Sequence, residues 1–114
     1  MKLTVHIDTS QKDATRVSLR ENSRTLRECE ATRGKAQAVL PLIEKVLGDT
    51  GKTFEDIGEI TAAIGPGSYT GLRVGLAVAI TLSSLLGIPI NGLPPGSHIP
   101  PLYDTDDKFA MMDE

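Results

Sequence analysis

The sequence has no tryptophan, one cysteine and four aromatic residues in 114, namely Phe54, Tyr69, Tyr103 and Phe109. A core built from it has to be aliphatic. Cys29 alone excludes an internal disulfide and a cysteine-based structural metal site. The two histidines, His6 and His98, are too far apart for a His-x-x-x-His or His-Glu-x-x-His motif, so no metal is expected. Ser68 sits in a glycine turn, but Gly-x-Ser-x-Gly would need glycine where Thr70 stands. Cys29 has no histidine positioned by sequence to activate it. Nothing assembles a nucleophile, a base and an oxyanion site, so an enzyme is not expected, and neither is peptidase activity. No cofactor is expected either. The formal net charge of −3 argues against a broad phosphate-binding surface. The longest apolar stretch, residues 74–90, is diluted by Gly75, Thr81, Ser83, Ser84, Gly87 and Pro89. It falls short of the roughly 20 apolar residues of a membrane span. The N-terminus lacks the charged start and apolar run of a signal peptide, and a reducing, cytoplasmic setting is expected.

What is present divides unevenly. Residues 1–52 carry a net +3 and residues 53–114 a net −6, and between Ile60 and Tyr103 the only charged side chain is Arg73. Such a stretch is either core or contact surface. The length fits one domain.

Leu3, Val5 and Ile7 alternate with Thr4, His6 and Asp8, the period-two pattern of a half-buried strand, which ends at the turn formers Asp8-Thr9-Ser10. Residues 16–20 alternate again, Glu21-Asn22-Ser23 reads as a hairpin turn, and residues 25–32 form a weaker third strand. From Ala36 to Leu47 apolar residues recur at helical spacing, with Pro41 either marking a start near Leu40 or kinking the helix. Residues 57–64 read as a strand, residues 70–86 as a buried helix ended by Gly87, and residues 88–90 as a short last strand. The order is βββαβαβ, an α/β domain with a mixed sheet and helices packed on it. Residues 1–92 form this lobe. Residues 93–114, a proline-rich segment and an acidic tail, are expected to be poorly ordered.

Two features invite a functional reading. The loop Gly65-Pro66-Gly67-Ser68-Tyr69-Thr70-Gly71 joins a strand to a helix, where phosphate loops sit. It fails the Walker spacing and matches a dinucleotide fingerprint weakly. It either permits a tight turn and close packing or, with Asp8, Thr9, Ser10, Gly65, Gly67 and Ser68, holds a nucleotide. Asp8 would then orient a nucleotide-bound metal, or else it simply closes its own turn. The second feature is a stripe of small residues four apart, Gly71, Gly75, Ala79 and Ser83, which lets another backbone approach closely. Leu72, Leu76, Ile80 and Leu86 can cover the sheet from the opposite side. The stripe is then free for a partner, or a loop or the proline-rich tail covers it.

Ile7-Asp8-Thr9-Ser10, Leu40-Pro41-Leu42-Ile43, the run from Gly65 to Leu76 and Leu86-Gly87-Ile88-Pro89-Ile90 together resemble the TsaB (YeaZ) family. The resemblance covers residues 3–92. It implies the N-terminal lobe of a ribonuclease H-like, actin-like ATPase fold. It also implies a non-catalytic accessory role in making threonylcarbamoyladenosine on tRNA. The implied partner is the catalytic subunit TsaD, with a TsaE-like ATPase in the same pathway and tRNA met only through the complex. In the family the first two helices contact TsaD or a second copy, which here implies residues 39–47 and 71–83. Carried over by position, the interface residues are Leu40, Ile43, Leu47, Gly71, Arg73, Gly75, Ala79 and Ser83. The alternative function is a small nucleotide-binding module of the same fold, using Asp8 and the Gly65–Gly71 loop.

Overall fold

The computed structural model describes residues 3–11, 13–32, 35–67 and 69–102. Strands β1 (Leu3–Asp8), β2 (Thr15–Glu21) and β3 (Arg24–Ala31) form an antiparallel meander. Helix α1 (Lys35–Asp49) and a single 3-10 turn lead to β4 (Ile57–Ala62), and α2 (Tyr69–Leu86) follows. The sheet order is β3-β2-β1-β4, with β4 parallel to β1.

The alternation read from the sequence fixes which side of the sheet is buried. Val5 lies opposite Leu19 on β2 and Ile60 on β4, and Ile7 lies opposite Val17 and Ala62. These rows are buried together with Val39, Ile43 and Val46 of α1 and Leu76 and Ala79 of α2. The core cluster is aliphatic apart from Cys29, and Phe54 only packs partly buried against it. Each fully buried Val, Leu or Ile contributes roughly 1.5–3 kcal/mol, which is how a chain poor in aromatics holds a sheet and two helices together.

Local chemistry sets the ends of the elements. Asn22 takes φ 59° in the two-residue turn between β2 and β3, a conformation asparagine tolerates. Gly51 and Gly87 adopt positive φ past the two helices, and Lys52 and Ile88 donate back to the Leu47 and Ser83 carbonyls. These are glycine C-caps. Pro41 lies inside α1, which starts at Lys35 and runs through it to Asp49. Both Pro41 and Gln37, whose carbonyl loses its usual donor, are exposed, so water can serve that carbonyl.

The last expected strand is reduced to a bridge. Ile90 pairs with Ile60 and with Leu93 around Asn91-Gly92, both at positive φ. The Asn91 side chain does what a strand would otherwise do along β4: Oδ1 accepts from Ala62 N at 2.8 Å and Nδ2 donates to Ala62 O at 3.1 Å. Proline at position 89 limits further pairing. The packed structure also runs past the boundary expected at residue 92, because Ile99 belongs to the core cluster. Residues 103–114, where the acidic tail was expected, lie outside the described residues.

Candidate functional site

The end of β1 and the glycine loop meet, as a nucleotide site would require. Gly67 passes so close to the turn that an added Cβ would lie 2.5 Å from the Ser10 carbonyl oxygen. The polar groups there serve one another. Ser10 donates to Asp8 Oδ1 from its backbone N–H at 2.9 Å and from its hydroxyl at 2.6 Å. Burial pushes the Asp8 carboxyl upward, but these two hydrogen bonds, with His6 and Arg16 nearby, outweigh it and hold the pKa below the ordinary value. Asp8 therefore closes its own turn. Thr9 is buried, and its hydroxyl donates to the Gly71 carbonyl at 2.5 Å. Gly65, at φ 110°, is packed against the Leu102 backbone and Leu72. Ser68 lies outside the described residues.

The small-residue stripe is turned toward the chain itself. Gly71, Gly75, Ala79 and Ser83 all face inward and are buried within the chain itself. A Cβ on Gly75 would collide with the Thr9 side chain, so the glycines make room for the end of β1. Lower down, the proline-rich segment covers the stripe: Gly96 N donates to Ser83 Oγ at 2.7 Å, Ile99 is buried, and Leu102 N reaches the Ile64 carbonyl at 2.6 Å. Residues 96–102 thus run back along α2 as a strap. Of the open alternatives for the stripe, cover by the chain itself is the one realised.

The expected interface is corrected accordingly. Ile43 and Ala79 are 0% exposed and Leu47 is buried, because they fill the space between helices and sheet. With Gly71, Gly75 and Ser83 they are not available to a partner. Leu40, at 46% exposure, and Arg73 stay on the outside. The outward stripe of α2 is Arg73, Ala77, Thr81 and Leu85, all exposed, with Leu85 at 76%. Leu40 of α1 joins Ala77, Val78, Thr81 and Leu82 around a shallow apolar cleft of about 250 Å³ between the helices. Ala77, Thr81 and Leu85 are absent from the expected residues, because a spacing of small side chains does not by itself say which stripe faces outward. Arg73 and Thr81 four residues either side of Ala77 were the available signal for an outer face.

No described helix is long and apolar enough to cross a membrane, and among the described residues no group of three or more His, Cys, Asp or Glu could hold a metal ion.

Comparison with known proteins bears on the same elements. Residues 29–95, more than half of the chain, match the family model described as TsaD, tRNA N6-adenosine threonylcarbamoyltransferase. The TsaB protein of Bacillus subtilis is 41% identical over 54 residues, 47% of this chain and 24% of that protein. YeaZ from Pseudomonas aeruginosa superposes with a TM-score of 0.71 at 29% identity, over 79% of this chain and 42% of that one. The chain belongs to the TsaD family, among its TsaB (YeaZ) members. The α/β architecture is the ribonuclease H-like, actin-like fold of these relatives. A protein named tRNA N6-adenosine threonylcarbamoyltransferase, from Albidiferax ferrireducens, is also 41% identical, over 63 residues that cover 55% of this chain and 18% of its own length. The chain spans less than half the length of each of these relatives.

Proposed function

We propose that this chain is a non-catalytic, cytoplasmic accessory component of tRNA threonylcarbamoyladenosine formation that binds a TsaD-like catalytic subunit through the outer faces of α1 and α2. The observation that carries the reading is the apolar cleft between the two helices of a TsaB-like fold, lined by Leu40, Ala77, Val78, Thr81 and Leu82, together with the exposed side chains of Leu40 and, further along α2, Leu85. Large exposed aliphatics grouped in this way mark contact surfaces on water-soluble domains. A second copy of the chain would use the same surface and compete with the partner, and a TsaE-like ATPase would join through the complex. The route through Asp8 and the glycine loop has less support, because Asp8, Thr9 and Ser10 are engaged with each other and with Gly71.

The test is co-purification with the TsaD-like subunit of the same organism. Leu85→Arg should abolish binding while the circular dichroism spectrum and melting temperature stay those of the parent chain. Full binding by a folded Leu85→Arg variant would overturn the helical-face assignment. Calorimetry with ATP and magnesium is expected to show no saturable heat from the chain alone, and a saturable isotherm would favour the nucleotide module instead.

A further inference from the structure

Helix α2 has a cleft on each side of its outward stripe. The one toward α1 was described above. The other, about 440 Å³, lies between α2 and the strap, with Arg73, Ala77 and Ile80 on the helix side and His98, Pro100 and Pro101 on the strap side. Ala77 lines both clefts. It is the low ridge between them, so the surface is continuous from Leu40 of α1 across α2 to the proline-rich strap.

From this continuity, and resting on the function proposed above, we infer that the strap is part of the docking surface: the TsaD-like partner straddles α2, seating apolar side chains in both clefts and an acidic side chain beside Arg73. The two clefts lie on opposite sides of one helix, so the partner must present two rows of apolar side chains, as a pair of helices does. Charge argues for the acid. Arg73 is the only Asp, Glu, Lys or Arg between Ile60 and Tyr103 and, among the described residues, the only one of these lining either cleft, where His98 also stands. Arg73 has an interaction of its own within the chain, and a guanidinium with five donors accepts a carboxylate in addition. The strap is held at Gly96 and Leu102 by hydrogen bonds and at Ile99 by burial, and two prolines lose little freedom when covered.

The experiment compares two variants of the full chain with the purified TsaD-like subunit of the same organism. His98 and Pro100 are exposed, so a His98→Glu, Pro100→Glu double variant keeps the fold while opposing the expected acid and filling the cleft mouth. Affinity should fall tenfold or more at an unchanged melting temperature. In the parent chain, the amides of Ser97, His98 and Ile99 should exchange more slowly with deuterium once the partner is added. Unchanged affinity of the double variant with unchanged exchange, while Leu85→Arg abolishes binding, would remove the strap from the surface and leave the helical-face reading standing. Loss of neither interaction, or no binding by the parent chain, would overturn both.

Discussion

The inward and outward stripes of α2 have the same spacing and opposite surroundings. Gly71, Gly75, Ala79 and Ser83 face the sheet and the strap, whereas Arg73, Ala77, Thr81 and Leu85, turned by about 200° on a helix of 3.6 residues per turn, face solvent. Small side chains show that something comes close. They do not show what comes close. Here it is Thr9 against Gly75 and the strap against Ser83. The contact surface proposed above is drawn instead on large aliphatics left uncovered, Leu40 on α1 and Leu85 on α2.

The strongest way to break this comparison is to place the same charge on each stripe. Ala79→Glu buries a carboxylate without a partner and should cost about 4 kcal/mol or more, leaving a small domain largely unfolded. Ala77→Glu should stay within about 0.5 kcal/mol of the parent in urea denaturation. Equal stability of the two variants would reverse the assignment of inside and outside.

Helix α1 offers the same contrast with a smaller effect. Ile43→Ala empties a fully buried site and should cost about 2–5 kcal/mol, while Leu40→Ala, at a half-exposed position, should cost under about 1 kcal/mol. Matching losses in thermal melts would mean that Leu40 is held against the core.

The glycines sharpen the point further, because two helical glycines should respond with opposite signs. Gly75→Ala forces its Cβ into Thr9 and should destabilise by about 1–3 kcal/mol. Gly48→Ala, in α1 with nothing within 4 Å of the added carbon, should stabilise by up to about 1 kcal/mol through helix propensity. A stabilising Gly75→Ala would dissolve the seam between β1 and α2.

The smallest effect separates two groups on the helix-free face of the sheet. Burial, with Arg20 nearby, lowers the His6 pKa against the opposing pull of Asp8 and Glu28, and its ring Nδ1 lies 2.7 Å from the Thr61 hydroxyl. The folded chain therefore binds fewer protons at His6 than the unfolded chain. The stability this brings is complete above the ordinary histidine value near 6.5 and is lost as pH falls through the lower folded value. The Asp8 pKa is also lowered, so its contribution is present above the ordinary carboxylate range near 4 and disappears below it. His6→Gln should flatten the stability profile just below pH 6.5, and Asp8→Asn only at lower pH. A His6→Gln profile parallel to the parent's would remove His6 from the account.

Much of the fold was legible because it depends on short-range patterns. Alternation at Leu3, Val5 and Ile7 fixed the buried side of β1, Asn22 marked the hairpin turn, and Gly87 marked the end of the second helix. The final strand was misread, since apolar Ile88-Pro89-Ile90 satisfies a strand pattern, while the proline and the turn at Asn91-Gly92 stop it at one bridge. Of the eight interface residues carried over from the resemblance, all but Leu40 and Arg73 are buried within the chain, which the spacing of small and apolar residues does not reveal.

The sequence by itself determined the three-stranded meander, β4, both helices, the aliphatic core and, through the run from Gly65 to Leu76, the family. Those follow from residue chemistry and from periods of two and 3.6, which are local. Only the tertiary structure decided which way α2 turns and that residues 96–102 return along it. Those outcomes rest on contacts between segments distant in sequence, Thr9 with Gly71 and Ile64 with Leu102 among them, and no period along the chain encodes a pairing of that kind.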